Sequence, residues 1–266
     1  MKIYYYVHTG HRIGLDRFRR AATIVRELQK DMDITLLCSD FRIASEAKEF
    51  GIKTSVGIDV VRNIPYIAHH GDKIIFDSDE ANPIMLEDMK EFFSSFIHIK
   101  ESEVVVDEKY FTDEVKTIEK TLFFGDDDYE KDLEKHLDMF EGLDLDLQLG
   151  FYYFLDYEDM LKKKFKKYYE FEDYDETITK TDILITSSPQ AVLENLASGG
   201  RPIYIQREDY TQNFIEVFKK FNIPIVENYN KKLLLEVLDN LDKNSYVQTV
   251  KNSDKLIKFI KDSLNL

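Results

Sequence analysis

The sequence predicts an α/β protein of two doubly wound, Rossmann-like domains with a ligand cleft between them. Three observations support this fold class. Short β-rich runs alternate with amphipathic helical stretches along the chain, which is typical of parallel βαβ units. The alternation is interrupted once, by an acidic stretch near residues 103–118, and then restarts. Hydrophobic residues make up 43% of the 266 residues, which is enough apolar mass for two cores.

The first domain is predicted to contain five strands, because five short apolar runs lack the spacing of a helix. They cover residues 2–8, 33–39, 53–58, 72–77 and 96–100. Helices are predicted between them, over residues 16–28 and 41–50, a short stretch ending near 67, and 83–93. Asp16 suits a helix N-cap and Gly51 a C-cap. We therefore assign residues 1–110 to the first domain.

The second domain repeats the pattern over residues 111–266. Strands are predicted at residues 121–124, within 143–154, and at 167–172, 182–186, 202–206 and 224–226. Helices are predicted at residues 129–140, 156–165, 175–181, 191–198, 212–220, 231–242 and 246–264. The strand at 167–172 is expected at a sheet edge. A single continuous sheet is the alternative to two separate domains.

Composition excludes several classes of function. The chain has 36 Lys+Arg against 51 Asp+Glu, a net charge of −15, and nucleic-acid binding needs a basic footprint. No run approaches the roughly 18–20 apolar residues of a membrane span, and the N-terminus lacks the features of a signal peptide. Cys38 is the single cysteine, so no disulfide or Cys-cluster zinc site is predicted. We expect a cytoplasmic protein without a metal or cofactor.

The negative charge is unevenly distributed. Residues 101–146 contain 17 acidic and 5 basic residues, a balance of −12, so the rest of the chain carries only −3. The acidic 101–146 region is a possible surface for a protein partner. The nearly balanced remainder leaves room for a local basic site that binds a small anion.

A glycine-containing basic loop follows the first predicted strand. Gly10 and Gly14 permit a close backbone approach to a ligand, and the helix that follows offers its N-terminal N–H groups. Four arginines and two histidines accompany them: Arg12, Arg17, Arg19, Arg20, His8 and His11. The pattern favours a phosphate or carboxylate site. The alternative is a solvent-exposed helix face with no ligand.

A second candidate loop lies within residues 182–206. A buried strand runs into Ser187 and Ser188, which can cap the next helix, and Pro189 suits its first turn. Glu194 lies on this helix, where it could accept hydrogen bonds from sugar or ribose hydroxyls. The alternative is an ordinary strand–helix connection with an exposed glutamate.

These motifs resemble those of GT-B-fold nucleotide-sugar proteins. The arrangement S-S-P-x-x-x-x-E followed by G-G-R-P is similar to the C-terminal nucleotide-binding segment of the lipid I N-acetylglucosaminyltransferase and of the UDP-sugar hydrolase of pseudaminic acid biosynthesis. The run R-I-G-L-D-R-F-R-R resembles the hydrolase's glycine loop, G-x-G-H-x-x-R. Length and the two-domain pattern also match, while the middle third has no counterpart.

The resemblance implies a UDP-sugar ligand and a role for each matching residue. It places the ribose on Glu194, the diphosphate on Ser187, Ser188 and Gln190, and the sugar on Gln212 and Asn213. It matches Arg20 to the family's loop arginine and Gly14 to its first loop glycine. The basic and glycine pattern of the loop itself adds Gly10, Arg12 and Arg17 to the expected binding site. The first domain then holds the acceptor and the catalytic loop, and the second holds the nucleotide.

Two departures from the family pattern bear on catalysis. Arg17 stands where the hydrolase has its catalytic histidine, and a permanently charged guanidinium cannot act as a general base. Gly125-Asp126-Asp127-Asp128 stands at the diphosphate loop, where three carboxylates would repel phosphate unless a divalent cation bridged them. The activating base is therefore expected to be His8, His11 or Asp77.

The sequence thus predicts a nucleotide-sugar-utilising protein that is glycosyltransferase-like or UDP-sugar hydrolase-like. A non-catalytic sugar-nucleotide-binding or assembly protein of the same fold is the alternative. A third possibility is that the acidic surface binds a partner and that both loops are structural relics.

Overall fold

The computed structural model describes residues 1–210, 212–248 and 253–264. The chain divides into two compact units. The first unit is Met1–Val105 with Lys251–Leu266, and the second is Val106–Val250. The C-terminal helix, Ser253–Ser263, therefore lies in the first unit, whereas the sequence analysis assigned it to the second domain. Residues 249–252 of the helix predicted over 246–264 fall outside the described residues.

The first unit contains a five-stranded parallel sheet in the order β3-β2-β1-β4-β5. The strands are β1 Ile3–Val7, β2 Ile34–Cys38, β3 Ser55–Gly57, β4 Lys73–Asp77 and β5 Ser95–His98. The connecting helices are α1 Asp16–Leu28, α2 Phe41–Glu46 and α3 Pro83–Phe92, with a 3-10 helix at Val61–Tyr66. The chain leaves β1 towards β2 on one side and returns as β4 on the other. The β1/β4 junction is therefore a topological switch point, where open α/β sheets form ligand crevices.

The C-terminal helix packs on the amino end of this sheet. Lys73, at the start of β4 and almost completely buried, donates from Nζ to the carbonyl of Leu264. Ser95 Oγ donates to the carbonyl of Ser263 at 3.2 Å, and Lys261 pairs with Asp31. Lys73 and Ser95 thus donate to carbonyls of the kind that every helix leaves unpaired at its C-terminus.

The second unit contains a six-stranded parallel sheet in the order β11-β10-β9-β6-β7-β8. The strands are β6 Ile118–Phe123, β7 Asp146–Gln148, β8 Tyr168–Tyr169, β9 Thr181–Thr186, β10 Ile203–Ile205 and β11 Ile225–Val226. The helices are α4 Asp132–Lys135, α5 Leu155–Lys162, α6 Tyr174–Lys180, α7 Pro189–Ala197, α8 Ile215–Lys220 and α9 Lys231–Asn240. The switch point here lies between β6 and β9.

The prediction of two sheets is confirmed, and the single-sheet alternative is wrong. The strand at 168–169 lies at the sheet edge, as predicted. Several local predictions are wrong. Helix α2 ends at Glu46 with Ala47 as its C-cap, so Gly51 is not the cap residue. The N-cap of α1 is Leu15, with Asp16 as the first helical residue. The helix predicted over 129–140 is reduced to α4 and a 3-10 turn at Leu137–Met139.

The described residues form no helix that is both long and apolar enough to cross a membrane.

Gly150 brings the loop after β7 against the loop after β6. A Cβ atom at this position would overlap the carbonyl oxygen of Gly125 and lie 2.8 Å from Asp126 Cα. Gly150→Ala is therefore expected to lower the free energy of unfolding by about 1–3 kcal/mol, measured by denaturant titration. The control is Gly71→Asn, because nothing lies within 4 Å of that Cβ position and Asn tolerates the left-handed backbone. Equal stability of Gly150→Ala and wild type would contradict this close approach.

Candidate functional site

In the second unit, the carboxyl end of β9 runs directly into the N-terminus of α7. Ser188 Oγ accepts a hydrogen bond from Ala191 N at 3.0 Å, and Ser188 N donates to Thr186 Oγ1 at 3.0 Å. Within the described residues, the buried Ser187 hydroxyl has no hydrogen-bond partner. An unpaired buried hydroxyl costs about 1–3 kcal/mol. A ligand oxygen at this helix N-terminus would remove that cost.

Glu194 is 2% exposed, so the exposed glutamate of the alternative interpretation is wrong. Tyr174 donates its hydroxyl to Glu194 Oε2 at 2.7 Å, and Gln190 Nε2 donates to Oε1 at 2.9 Å. The two donors hold the carboxylate in one orientation. An ionised carboxylate only accepts hydrogen bonds, at about four positions in all, so hydroxyl groups are suitable donors for it.

All three aspartates of the loop after β6 are buried, and Asp127 and Asp128 cap local backbone. Asp127 Oδ2 accepts from Tyr129 N at 3.1 Å. Asp128 accepts from the N–H groups of Asp132 and Leu133, at 2.8 and 3.0 Å, and from the Tyr157 hydroxyl. Burial raises the pKa of Asp128 despite these donors. The capping explains why the first turn of α4 starts at residue 132.

Arg207, which the sequence analysis did not identify, lies just beyond β10. It is the largest fully buried side chain among the described residues. Its guanidinium carbon lies 4.9 Å from the ring centre of Phe124 and 4.3 Å from that of Tyr210. Its Nη1 donates to the Asp127 carbonyl at 2.6 Å. The only sequence signal was its position after a strand next to β9.

The two residues predicted to contact the sugar lie in a turn after Tyr210. Gln212 and Asn213 are exposed, and the Gln212 carbonyl accepts from Ile215 N at 3.1 Å. Helix α8 therefore begins at Ile215 rather than at Gln212. Their neighbour Thr211 lies outside the described residues.

In the first unit, the glycine loop after β1 closes on itself. The Gly10 carbonyl accepts from the N–H groups of Ile13 and Gly14, at 3.1 and 2.9 Å. Gly10 and Gly14 have φ angles of 141° and 73°, which L-residues rarely adopt. His11 and Arg12 lie within this turn, and Arg12 is exposed. The glycines thus build a tight turn, a role separate from the predicted ligand approach.

Arg20 and Asp77 form a buried ion pair at the β1/β4 switch point. Arg20 Nε donates to Asp77 Oδ2 at 3.1 Å, and Nη2 donates to Oδ1. Tyr5 donates its hydroxyl to Oδ2 at 2.8 Å. Arg20 Nη1 donates to the carbonyls of Glu101 and Glu103, at 2.8 and 2.9 Å. This arrangement favours a structural role for both side chains over the ligand-binding and catalytic roles predicted for them.

His8 lies beside this pair, between two carboxylates. Its Nδ1 is 3.0 Å from Asp79 Oδ1, and its Nε2 is 3.9 Å from Glu80 Oε1. Hydrogen bonds from His8 and Arg17 hold the pKa of Asp79 well below its usual range. An ionised Asp79 can only accept, so this contact favours the His8 tautomer with its N–H on Nδ1. In that tautomer Nε2 is the acceptor nitrogen of the ring.

Arg17 supports this histidine indirectly. Its Nη1 donates to Asp79 Oδ1 at 2.8 Å and its Nη2 to Glu101 Oε1 at 2.9 Å. Arg17 Nη1 also lies 3.4 Å from His8 Nδ1. With the His8 hydrogen on Nδ1, both of these atoms are donors, so they do not form a hydrogen bond with each other. Arg17 thus fixes the carboxylate that orients His8.

Each switch point gathers part of the predicted site. The first brings together His8, Arg17, Arg20 and Asp77, and the second Ser187, Ser188, Gln190 and Glu194. Across residues 1–210, 212–248 and 253–264, no cluster of three or more His, Cys, Asp or Glu side chains is arranged to hold a metal ion.

No protein-family model and no curated protein matches the sequence. Solved structures do match the fold over nearly the whole chain. Anabaena HepE in complex with UDP and glucose is 10% identical, with a TM-score of 0.66, covering 100% of this chain and 99% of its own. Methanocaldococcus jannaschii UDP-GlcNAc 2-epimerase in complex with UDP-GlcNAc and UDP is 11% identical, with a TM-score of 0.65, covering 98% and 100%.

A Rickettsia africae glycosyltransferase is 10% identical, with a TM-score of 0.58, covering 99% of this chain and 93% of its own. These similarities and the two parallel sheets give the chain a two-domain, GT-B-like α/β fold, as the sequence predicted.

Proposed function

We propose that this GT-B-like chain is a nucleotide-sugar-utilising enzyme whose second unit binds a nucleoside diphosphate sugar. The main support for this proposal is the connection between β9 and α7. Eight residues of chain at the β6/β9 switch point hold a capped helix N-terminus, the buried Glu194 carboxylate and the Ser187 hydroxyl, which has no partner in the described part of the chain.

The start of α7 suits the diphosphate. The first N–H groups of a helix carry partial positive charge and favour a phosphate. Ser187 Oγ supplies a further donor, and Ser188 and Gln190 lie in the same first turn. Arg20, which the resemblance matched to the family's loop arginine, instead pairs with Asp77 in the first unit.

Glu194 suits the ribose. A sugar diol donates two hydroxyl protons, and a carboxylate oriented by Tyr174 and Gln190 can accept them with little reorganisation. Gln212 and Asn213, exposed after Tyr210, would contact the sugar. Two structures of the same fold were solved with UDP or a UDP-sugar, which supports a uridine nucleotide. A reaction on such a substrate fits the cytoplasmic location expected from the sequence.

His8 is the best candidate for the proton acceptor. Its Nε2 would take the proton of an acceptor hydroxyl or water, and the oxygen would attack the anomeric carbon. The bond from that carbon to the diphosphate oxygen would break, and its electron pair would leave with the nucleotide. Asp79 would stabilise the imidazolium that forms. Asp77 is the weaker candidate, because both of its carboxylate oxygens already accept hydrogen bonds from Arg20 and Tyr5.

UDP binding is the first test of this function. UDP at 100 times its dissociation constant is expected to add about 2.7 kcal/mol of stability, or roughly 5–10 °C in Tm, by thermal-shift measurement. ADP, GDP and uridine serve as comparison ligands. No stabilisation by any nucleotide would contradict the proposal.

A turnover assay then separates the possible activities. Free sugar released with UDP indicates hydrolysis, and sugar attached to an added alcohol indicates transfer. Nucleotide binding without any release of UDP from UDP-sugars would favour the non-catalytic alternative.

A further inference from the structure

Arg207 is held in a setting that fixes its guanidinium plane. Phe124 and Tyr210 lie over it, and Asp209 takes two parallel hydrogen bonds, from Nε at 2.9 Å and from Nη2 at 2.6 Å. Burial by itself would lower the pKa of Arg207, but Tyr210, Asp209 and Asp128 together raise it well above its ordinary value. The charge is therefore permanent and its orientation is preset.

The two partners in this ion pair differ in accessibility. The Arg207 side chain is fully buried, whereas that of Asp209 is 34% exposed. Asp209 can therefore turn towards solvent while Arg207 stays between the two rings. A bidentate carboxylate also has the geometry of a bidentate phosphate, since both present two oxygens to the guanidinium fork.

Further donors lie near this guanidinium. The hydroxyls of Tyr153 and Tyr229 are buried, and within the described residues neither has a hydrogen-bond partner. Burial raises the pKa of both hydroxyls, and the positive charge of Arg207 acts in the opposite direction on each of them. The position is close to the β6/β9 switch point, because Arg207 Nη1 is 3.7 Å from a Cβ built on Gly125.

We infer that Arg207 is a phosphate-binding residue, and that Asp209 occupies the place of the phosphate in the free protein. The inference rests on the proposed function, because a diphosphate is the expected ligand. Binding exchanges one ion pair for another: Asp209 rotates to solvent, and two phosphoryl oxygens accept the Nε and Nη2 hydrogen bonds. Phosphate can bind only to the molecules in which Asp209 has left Arg207. The apparent affinity is therefore the intrinsic affinity multiplied by the fraction of such molecules.

Two variants have opposite expected effects. Asp209→Asn keeps the side-chain size but removes the competing charge, so it is expected to tighten binding of UDP and of pyrophosphate on the order of tenfold. Arg207→Gln is expected to weaken binding of both probes by at least about tenfold. Uridine, which has no phosphate, should bind equally to wild type and variants. Isothermal titration calorimetry gives all these constants, and a thermal melt reports folding.

Asp182→Asn is the matched control. Asp182 takes the same two parallel hydrogen bonds, from Arg201 Nε at 3.0 Å and Nη2 at 2.6 Å, but at the amino end of β9. Its loss should leave every affinity unchanged. If Arg207→Gln does not fold, Asp209→Asn alone decides, because a purely structural ion pair predicts no gain in affinity.

The outcomes separate this inference from the proposed function. UDP binding by wild type with no gain in Asp209→Asn would overturn the role of Arg207 and leave the nucleotide site standing. Tighter pyrophosphate binding by Asp209→Asn without UDP binding by any form would support the phosphate site and overturn the proposed function. No binding of either probe by any form would overturn both.

Discussion

Replacing Glu194 with glutamine is expected to weaken UDP binding by about 10- to 100-fold. A hydrogen bond to a charged group contributes about 1.5–3 kcal/mol, and each 1.4 kcal/mol is a factor of ten in affinity. The substitution preserves the size of the side chain. It replaces one carboxylate oxygen by an amide NH₂, which cannot accept from a ribose hydroxyl.

The 2′-deoxy analogue of UDP makes this prediction specific. If Glu194 binds the ribose diol, wild type should prefer UDP over the deoxy analogue, and Glu194→Gln should lose that preference. Calorimetric titration of both ligands against both proteins forms the complete cycle. Glu176→Gln, in an exposed i,i+4 pair with Lys180 on α6, is the control. A preference retained in Glu194→Gln would exclude the ribose role even if overall affinity fell.

Replacing His8 is expected to have the largest effect on turnover. His8→Gln should lower kcat by about 10²- to 10⁴-fold, the usual contribution of a positioned acid–base group. The dissociation constant of UDP should not change, because the proposed nucleotide contacts all belong to the second unit. Steady-state kinetics and calorimetry on the same protein preparation measure the two quantities separately.

Asp79 should share the kinetic effect of His8 in weaker form. Asp79→Asn can still accept from Nδ1, but it lacks the charge that stabilises the imidazolium, so kcat should fall by about 10- to 100-fold. Asp88→Asn, an exposed aspartate of α3, is the control. Full kcat in His8→Gln would exclude His8 and direct attention to His11. Full kcat in Asp79→Asn alone would leave His8 acting without an orienting carboxylate.

The fold was largely predictable because its signals are local. Apolar runs without helical spacing marked the strands, and the serines and Pro189 marked the start of α7. Both switch-point loops were found because parallel strands bring their carboxyl ends to one edge. The prediction of one helix over 129–140 was wrong because Asp127 and Asp128 accept hydrogen bonds from backbone N–H groups there. The composition of the segment gave no sign of these contacts.

The pairing of charged residues was not predictable from the sequence. Asp77, expected as a base, pairs with Arg20, and Arg17, expected as a ligand contact, pairs with Asp79. Arg207 belongs to none of the motifs found in the sequence. The carbonyl to which it donates is that of Asp127, 80 residues earlier in the chain. Helical or strand periodicity carries no information about contacts at such separations.

Local sequence patterns were sufficient to predict the order of strands and helices and to locate the two candidate loops, and they led us to expect a negatively charged ligand. The tertiary structure decided which charges remain available to that ligand. The physical reason is that a buried charge must be paired, and its nearest partner is set by how distant segments pack. Arg20 and Asp77 are 57 residues apart in the chain. They meet only in the folded sheet, where they pair with each other and not with a ligand.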